Sequence, residues 1–257
     1  MIGAVIDGRY RLLAQIGAGG EARVYRARDE KTGDDIAVRL ALQRNLKCSA
    51  EIPAWSHPRW VRLLSSGSDN ALGAYQVFEL LDGQTLAEIV RAGALDRDEW
   101  RALVAQSLDA VQGLHELGLV HADLNADNFI RTRDGWKLLE LPFHRFIAPS
   151  VRSQAFGSIY TLAPEQIDAA PTTVRSDLYS LGCLYYHAAS GRWPHEGRNA
   201  QEVAISSLLH AATPLGDLTR QLLVSECAGV MALIETRAPN RPDSVAEARL
   251  RLVTKVA

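Results

Sequence analysis

The chain has 257 residues, enough for one large domain or two closely joined lobes with a substantial core. It is 47% hydrophobic and 23% charged with a net charge of −2, which gives no electrostatic ground for nucleic acid or a membrane surface as partner. Three scattered cysteines, Cys48, Cys183 and Cys227, form no C-x-x-C pair; they argue against a disulfide framework or zinc site and point to a reducing, cytoplasmic setting.

The first eighty or so residues alternate as strands do. Arg9–Gly17 and Ala22–Asp29 come first, then a polar turn and Ile36–Leu40, with two more strands at Val61–Gly67 and Ala74–Leu80. These make a five-stranded sheet. After the turn Asp82-Gly83-Gln84-Thr85 the period changes. Trp100, Leu103, Val104, Leu108, Val111, Leu114 and Leu117 recur at helical spacing, and Gly118 ends that helix. Leu119–Val120, Asn128–Arg131 and Trp136–Leu139 read as short strands. From Pro164 helices dominate, with Asp177–Ser190, Ala200–His210 and Leu218–Glu235 the clearest. The expected organisation is α+β: a small β-rich lobe over residues 1–82 and a larger, mainly helical one over 83–257. No run of about 18 apolar residues exists, and the start lacks the basic flank of a signal peptide, so direct membrane insertion is not expected.

The chemistry-bearing residues fall in a fixed order. Gly17-Ala18-Gly19-Gly20 lies between two strands, a loop able to cover phosphates or simply a hairpin turn. Ile36-Ala37-Val38-Arg39 follows, then His121-Ala122-Asp123-Leu124-Asn125-Ala126-Asp127-Asn128, with Glu140-Leu141-Pro142 twelve residues beyond Asn128. Ala163-Pro164-Glu165, Ser176-Asp177 and Asn240-Arg241-Pro242 close the series. In this order and at these spacings the chain resembles the protein kinase superfamily, specifically the bacterial eukaryotic-like Ser/Thr kinases, from Arg9 to about Leu252.

The resemblance implies a bilobal fold with a nucleotide cleft. Gly17 and Gly19 would cover the phosphates and Arg39 would grip them. Val24 and Ala37 would sandwich the base against Ile130, and the backbone from Glu79 to Leu81 would pair with it. Asp123 would accept the substrate hydroxyl's proton, with Asn128 and Glu140 the only metal-ligand positions left. Glu165 and Arg241 would form a buried ion pair, and Asp177 would hold the catalytic loop.

The departures concentrate at the reacting atoms. Arg39 replaces a lysine, trading a compact ammonium for a planar fork. Only seventeen residues separate Arg39 from His57, a curtailed regulatory helix in which Glu51 is the sole acid and Pro53 limits helix formation. Asn125 replaces the lysine beside the transferring phosphate. Glu140 and Pro142 replace an aspartate and a glycine, and Ala122 an arginine. Asp123 and Asn128 also fit a purely structural role, holding their loop by backbone hydrogen bonds. The expectation is therefore a pseudokinase that scaffolds or regulates a protein partner such as another kinase, a substrate or a signalling protein. It needs no cofactor, and ATP binding is weak with magnesium ligation doubtful. An atypical active kinase using Asp123 as base, and a kinase-fold nucleotidyltransferase, are the alternatives.

Overall fold

The computed structural model describes residues 1–19, 22–42, 55–141 and 159–252. These form two compact units, one on Met1–Asp82 and one on the described residues from Gly83 onward.

The first unit is a sheet. Strands β1 (Val5–Ile6), β2 (Tyr10–Ala18), β3 (Ala22–Asp29), β4 (Asp35–Ala41), β5 (Leu63–Asp69) and β6 (Gly73–Glu79) run in the order β1-β2-β3-β4-β6-β5. The sheet thus has six strands where five were expected: the two residues of β1 are too short to carry an alternation, and they pair back on Arg11 and Tyr10. Period-two alternation sends Tyr25, Ala27, Ile36, Val38, Tyr75 and Val77 to one face, where they form the unit's core with Ile6, Tyr10 and Leu12. The register puts a second set on the opposite face. Gly17 pairs with Val24, Val24 with Arg39, Arg39 with Gln76 and Ala37 with Phe78. An ion pair clamps the start of β2 to the end of β3. Arg9 Nε and Nη2 donate to the two carboxylate oxygens of Asp29 at 2.9 and 2.6 Å.

The second unit opens with β7 (Gln84–Thr85) and α1 (Leu86–Ala92), a short helix that the sequence reading did not single out. Its entry is a capping box: Glu88 N–H donates to Thr85 Oγ1, and Thr85 N–H to the Glu88 carboxylate. Helix α2 (Arg97–Glu116) is capped by Asp96, buries Trp100, Leu103, Val104, Leu108, Val111 and Leu114, and stops where Gly118 turns left-handed. Leu119–Val120 belongs to no strand, because the chain there only connects Gly118 to the loop from His121. Strands β8 (Phe129–Thr132) and β9 (Gly135–Leu138) form a hairpin, and β7 joins β8. Gly83 approaches this hairpin closely, since a Cβ there would lie 2.0 Å from the Arg131 carbonyl oxygen.

Helices α3 (Pro164–Ile167), α4 (Val174–Ser190), α5 (Ala200–Leu209), α6 (Leu215–Leu218), α7 (Val224–Leu233) and α8 (Val245–Leu252) complete the unit. Helix α4 is its axis, buried on almost every side from Ser176 to Ala189. The helix expected over Leu218–Glu235 is instead two, because Thr219 and Leu223 adopt extended backbone and break it. Helix α8 lay outside the sequence expectation as well. None of the described helices is long and apolar enough to cross a membrane. The expected regulatory helix with Glu51 and Pro53, and Gly20 and Pro142, lie outside the described residues.

The Arg9–Asp29 pair gives the sheet a pH signature. Hydrogen bonds from Arg9 hold the Asp29 carboxyl down at about 2, against an ordinary value near 3.9. A carboxylate lowered in the folded state contributes stability above its unfolded pKa and loses it as pH falls through the folded one. Asp29→Asn should therefore be less stable than wild type in urea melts near neutral pH, and the gap should narrow between about pH 4 and pH 2. A gap that stays constant across that range would mean the pair does not hold β2 to β3.

Candidate functional site

The site is built around a carboxylate at the start of α4. Asp177 is 0% exposed and accepts from the backbone N–H groups of His121 and Ala122, each at 2.8 Å. His115 Nε2, from the last turn of α2, lies 2.8 Å from the same carboxylate. Ala122 is thereby held at φ +68°, a conformation that L-residues rarely adopt. Its carbonyl accepts from Gln166 Nε2 of α3 at 2.9 Å, and Gln166 Oε1 accepts from Ala163 N–H. Three elements thus fix one residue.

The loop that follows is tied to itself. Asn128 Nδ2 donates to the Asp123 carbonyl at 2.9 Å. Asp127 N–H donates to Asn125 Oδ1 at 3.0 Å, which turns the other end of that amide toward Asp123. Asn125 Nδ2 lies 3.4 Å from the Asp123 carbonyl and 3.5 Å from its carboxylate Oδ1, where the kinase resemblance expects a lysine. The ring of the buried His121 links this loop to β9 and beyond. Its Nε2 meets the Glu140 carbonyl at 2.6 Å, and its Nδ1 accepts from Asp123 N–H at 3.3 Å. Both contacts are met by the neutral tautomer protonated on Nε2. Leu139 N–H donates to the Asn128 carbonyl at 2.8 Å, so Asn128 and Glu140 lie on neighbouring backbones. Ile130 is buried on β8, beside the close approach of Gly83. Asp123, Asn125, Asn128, Ile130 and Glu140 thus gather on one loop and hairpin of the second unit.

The first unit carries the other expected residues. Gly17, Val24, Ala37 and Arg39 share the sheet face opposite the core, and Gly19 N–H donates to the Ala22 carbonyl at 2.9 Å. Arg39 Nη1 donates to Gln76 Oε1 at 3.3 Å. At the end of β6, Glu79 exchanges two bonds with Arg62: its N–H donates to the Arg62 carbonyl, and its carboxylate accepts from Arg62 N–H. Leu81, two residues on, is half-buried.

The resemblance assigns two of these residues to a metal. With its Nδ2 committed to Asp123, Asn128 offers only Oδ1, and Glu140 adds a carboxylate. Among the described residues no group of three acidic, histidine or cysteine side chains converges on one point.

A model of the protein kinase domain matches residues 10–235. The chain belongs to the protein kinase domain family. Serine/threonine-protein kinase pkn2 of Myxococcus xanthus is 28% identical over 95% of this chain, which spans 32% of that protein. A probable serine/threonine-protein kinase PknB of Lactococcus lactis is 30% identical over 79% of the chain and 35% of its own length. PrkC of Bacillus subtilis, a serine/threonine-protein kinase, is 28% identical over 83% and 35% respectively. The chain therefore spans about a third of the length of these relatives. A crystal structure of Rad53 residues 1–466 in complex with AMP-PNP superposes with a TM-score of 0.79, covering 95% of this chain and 66% of that one at 24% identity, and shows the same fold.

Within this kinase fold, several contributors to the site were missing from the sequence reading. His121 lies within a motif, but the tie its ring makes to the Glu140 carbonyl is a tertiary contact. Gln166 stands next to Glu165 of a motif and His115 next to Leu114 of the helical pattern, with nothing in their own spacing to mark them. Gln76 carried a signal, being a strongly polar side chain inside an apolar strand.

The expected Glu165–Arg241 pair is present. Arg241 Nη1 and Nη2 donate to the two Glu165 oxygens at 2.8 and 2.9 Å, with Ser176 Oγ adding a third bond at 2.7 Å. The Arg241 side chain is 0% exposed, donates also to the Glu235, Arg175 and Thr236 carbonyls, and stacks over Tyr179. Burial pushes the Glu165 carboxyl up, but Arg241 and Ser176 together pull it below the ordinary range. Removing one member of such a pair strands the other charge and costs about 3–5 kcal/mol. At about 2–4 °C per kcal/mol for a chain of this size, Arg241→Ala should lower the melting temperature by on the order of 10 °C. An unchanged melting curve would show that the pair contributes nothing to the second unit.

Proposed function

We propose that the chain is a pseudokinase: a kinase-fold module that regulates or scaffolds a protein partner and does not transfer phosphate efficiently. The observation that carries this reading is Asn125, whose amide leans on Asp123. Phosphoryl transfer depends almost entirely on positioning and on charges that stabilise the transferring group. Asp123 can still accept a hydroxyl proton, but its neighbour brings a weak dipole and no positive charge to the phosphate. Losing one preorganised contact of this kind costs on the order of 10²–10³ in rate. Arg39 and Glu140 alter two further contacts. Against a kinase turnover of about 1–100 per second, even strongly non-additive losses reach background.

The same residues support weak nucleotide binding. Val24 and Ala37 offer an apolar surface for a base, and Ile130 another. Magnesium completes its octahedral shell with phosphate oxygens and waters around one or two protein ligands. At the Glu140 position the carboxylate stands on a side chain one methylene longer than the aspartate that the geometry suits. The serine/threonine-kinase names of the relatives support a protein as the molecule recognised.

One observation favours the atypical active kinase. The bond from Asn128 to the Asp123 carbonyl and the Asp177 anchor keep the loop backbone in order, so the base is held in place. Purified chain with radiolabelled ATP and magnesium or manganese decides between the two. The pseudokinase reading expects incorporation into itself and into generic substrates no greater than that of Asp123→Asn. Incorporation well above background that disappears in Asp123→Asn would establish the active reading instead.

A further inference from the structure

The loop between α4 and α5, residues 191–199, is held down by two histidines. Its Trp193 ring stacks on His187 of α4, with centroids 3.8 Å apart and planes at 10°. Two residues on, His195 is 4% exposed, and its Nδ1 meets Ser206 Oγ of α5 at 3.4 Å. Trp193 also stacks on Tyr160, at 5.1 Å and 12°. Tyr160 stands on the short turn Ile159–Thr161, where the Thr161 carbonyl accepts from Ser180 Oγ of α4 at 2.7 Å. A few residues on is Gln166, whose amide grips the Ala122 carbonyl. The loop thus braces the segment that positions the site.

Both imidazoles suit their places only while neutral. A protonated ring carries N–H on both nitrogens, and His187 Nδ1 is enclosed with no hydrogen-bond partner. The Arg192 backbone and the Glu196 carboxylate favour charge on this ring, but burial outweighs them and lowers its pKa. Glu196 is itself engaged by Arg192 Nη2 at 2.7 Å. For His195, burial and the neighbouring His210 bring the value down to about 4, against an ordinary 6.5. Ser206 offers that ring a hydroxyl and no charge.

We infer that the loop 191–199 is a proton-sensitive strap, closed on Tyr160 while His187 and His195 are neutral and opened when they take up protons. Opening frees the segment that leads to Gln166. An opened loop returns both rings to solvent, where a histidine titrates near 6.5. The open form then binds protons that the closed form refuses. Closure is therefore fully favoured above about pH 6.5 and weakens as pH falls toward about 4. For a ring held at about 4, the open fraction rises about twentyfold between pH 7 and pH 5. His187 adds to that rise.

The test is hydrogen–deuterium exchange of the purified chain between pH 7 and pH 5, corrected for the intrinsic pH dependence of exchange. It is read in peptides covering 159–170 and 192–205, whose closed-state bonds include Gln166 N–H to the Ala163 carbonyl and Glu202 N–H to Asn199 Oδ1. Protection in both should fall by about twentyfold or more at pH 5, while peptides of α2 keep theirs. The double variant His187→Phe/His195→Asn keeps a ring on Trp193 and an acceptor for Ser206 but has no proton to take up. It should match wild type at pH 7 and stay flat to pH 5, and His187→Phe alone should keep a shallower slope. Three results would overturn the strap: wild-type protection that does not change between pH 7 and pH 5, a slope equally steep in the double variant, or a loss shared equally by α2. The wild-type titration decides by itself if the double variant fails to fold.

Discussion

The buried carboxylate of Asp177 is the constraint on which the second unit's chemistry depends. A charge with no exposure is tolerable only where hydrogen bonds replace its water, and here His121, Ala122 and His115 supply them. In return the carboxylate holds Ala122 in left-handed backbone, which costs an L-residue roughly 1–2 kcal/mol. From that fixed point the loop to Asn128 follows by short, local bonds. The bonds from Asp177 and from Asn128 to this loop reach its backbone and leave the Asp123 carboxylate out. The frame therefore survives whatever side chains stand at the positions of chemistry, and a kinase-shaped loop is compatible with a changed set of reactive residues.

This separation explains the pattern of substitution. Residues that carry the frame, Asp177, Glu165, Arg241 and Asn128, match what the family resemblance asks of them, and their bonds are short and buried. Of the residues that the resemblance places at the chemistry, Asp123 and Asn128 match it as well, whereas Arg39, Asn125 and Glu140 differ. Losing a frame residue such as Arg241 costs the unit about 3–5 kcal/mol, whereas a changed ligand-facing residue acts on binding. The proposed pseudokinase role would require the first set and release the second.

Much of this was legible in the sequence because the information was local. Alternation placed five of the six sheet strands, and helical spacing with Gly118 at its end marked α2. The loop from His121 to Asn128 could be read because its functional residues lie a few positions apart. What stayed hidden was made by tertiary contact. The helix expected over Leu218–Glu235 is apolar enough to be continuous, yet extended backbone at Thr219 and Leu223 divides it. The His121 ring and Gln166 act on residues far along the chain, and Gln76 owes its significance to the strand opposite.

The central claim is that the frame is kept while metal-assisted phosphate chemistry has been lost. Calorimetric titration of ATP and adenosine with and without magnesium tests this most directly. The account predicts that magnesium changes ATP affinity by no more than about twofold, within a weak range of roughly micromolar to millimolar. Tightening of ATP by more than about tenfold on adding magnesium, with adenosine unaffected, would show that Glu140 and Asn128 still complete a metal site and would contradict it.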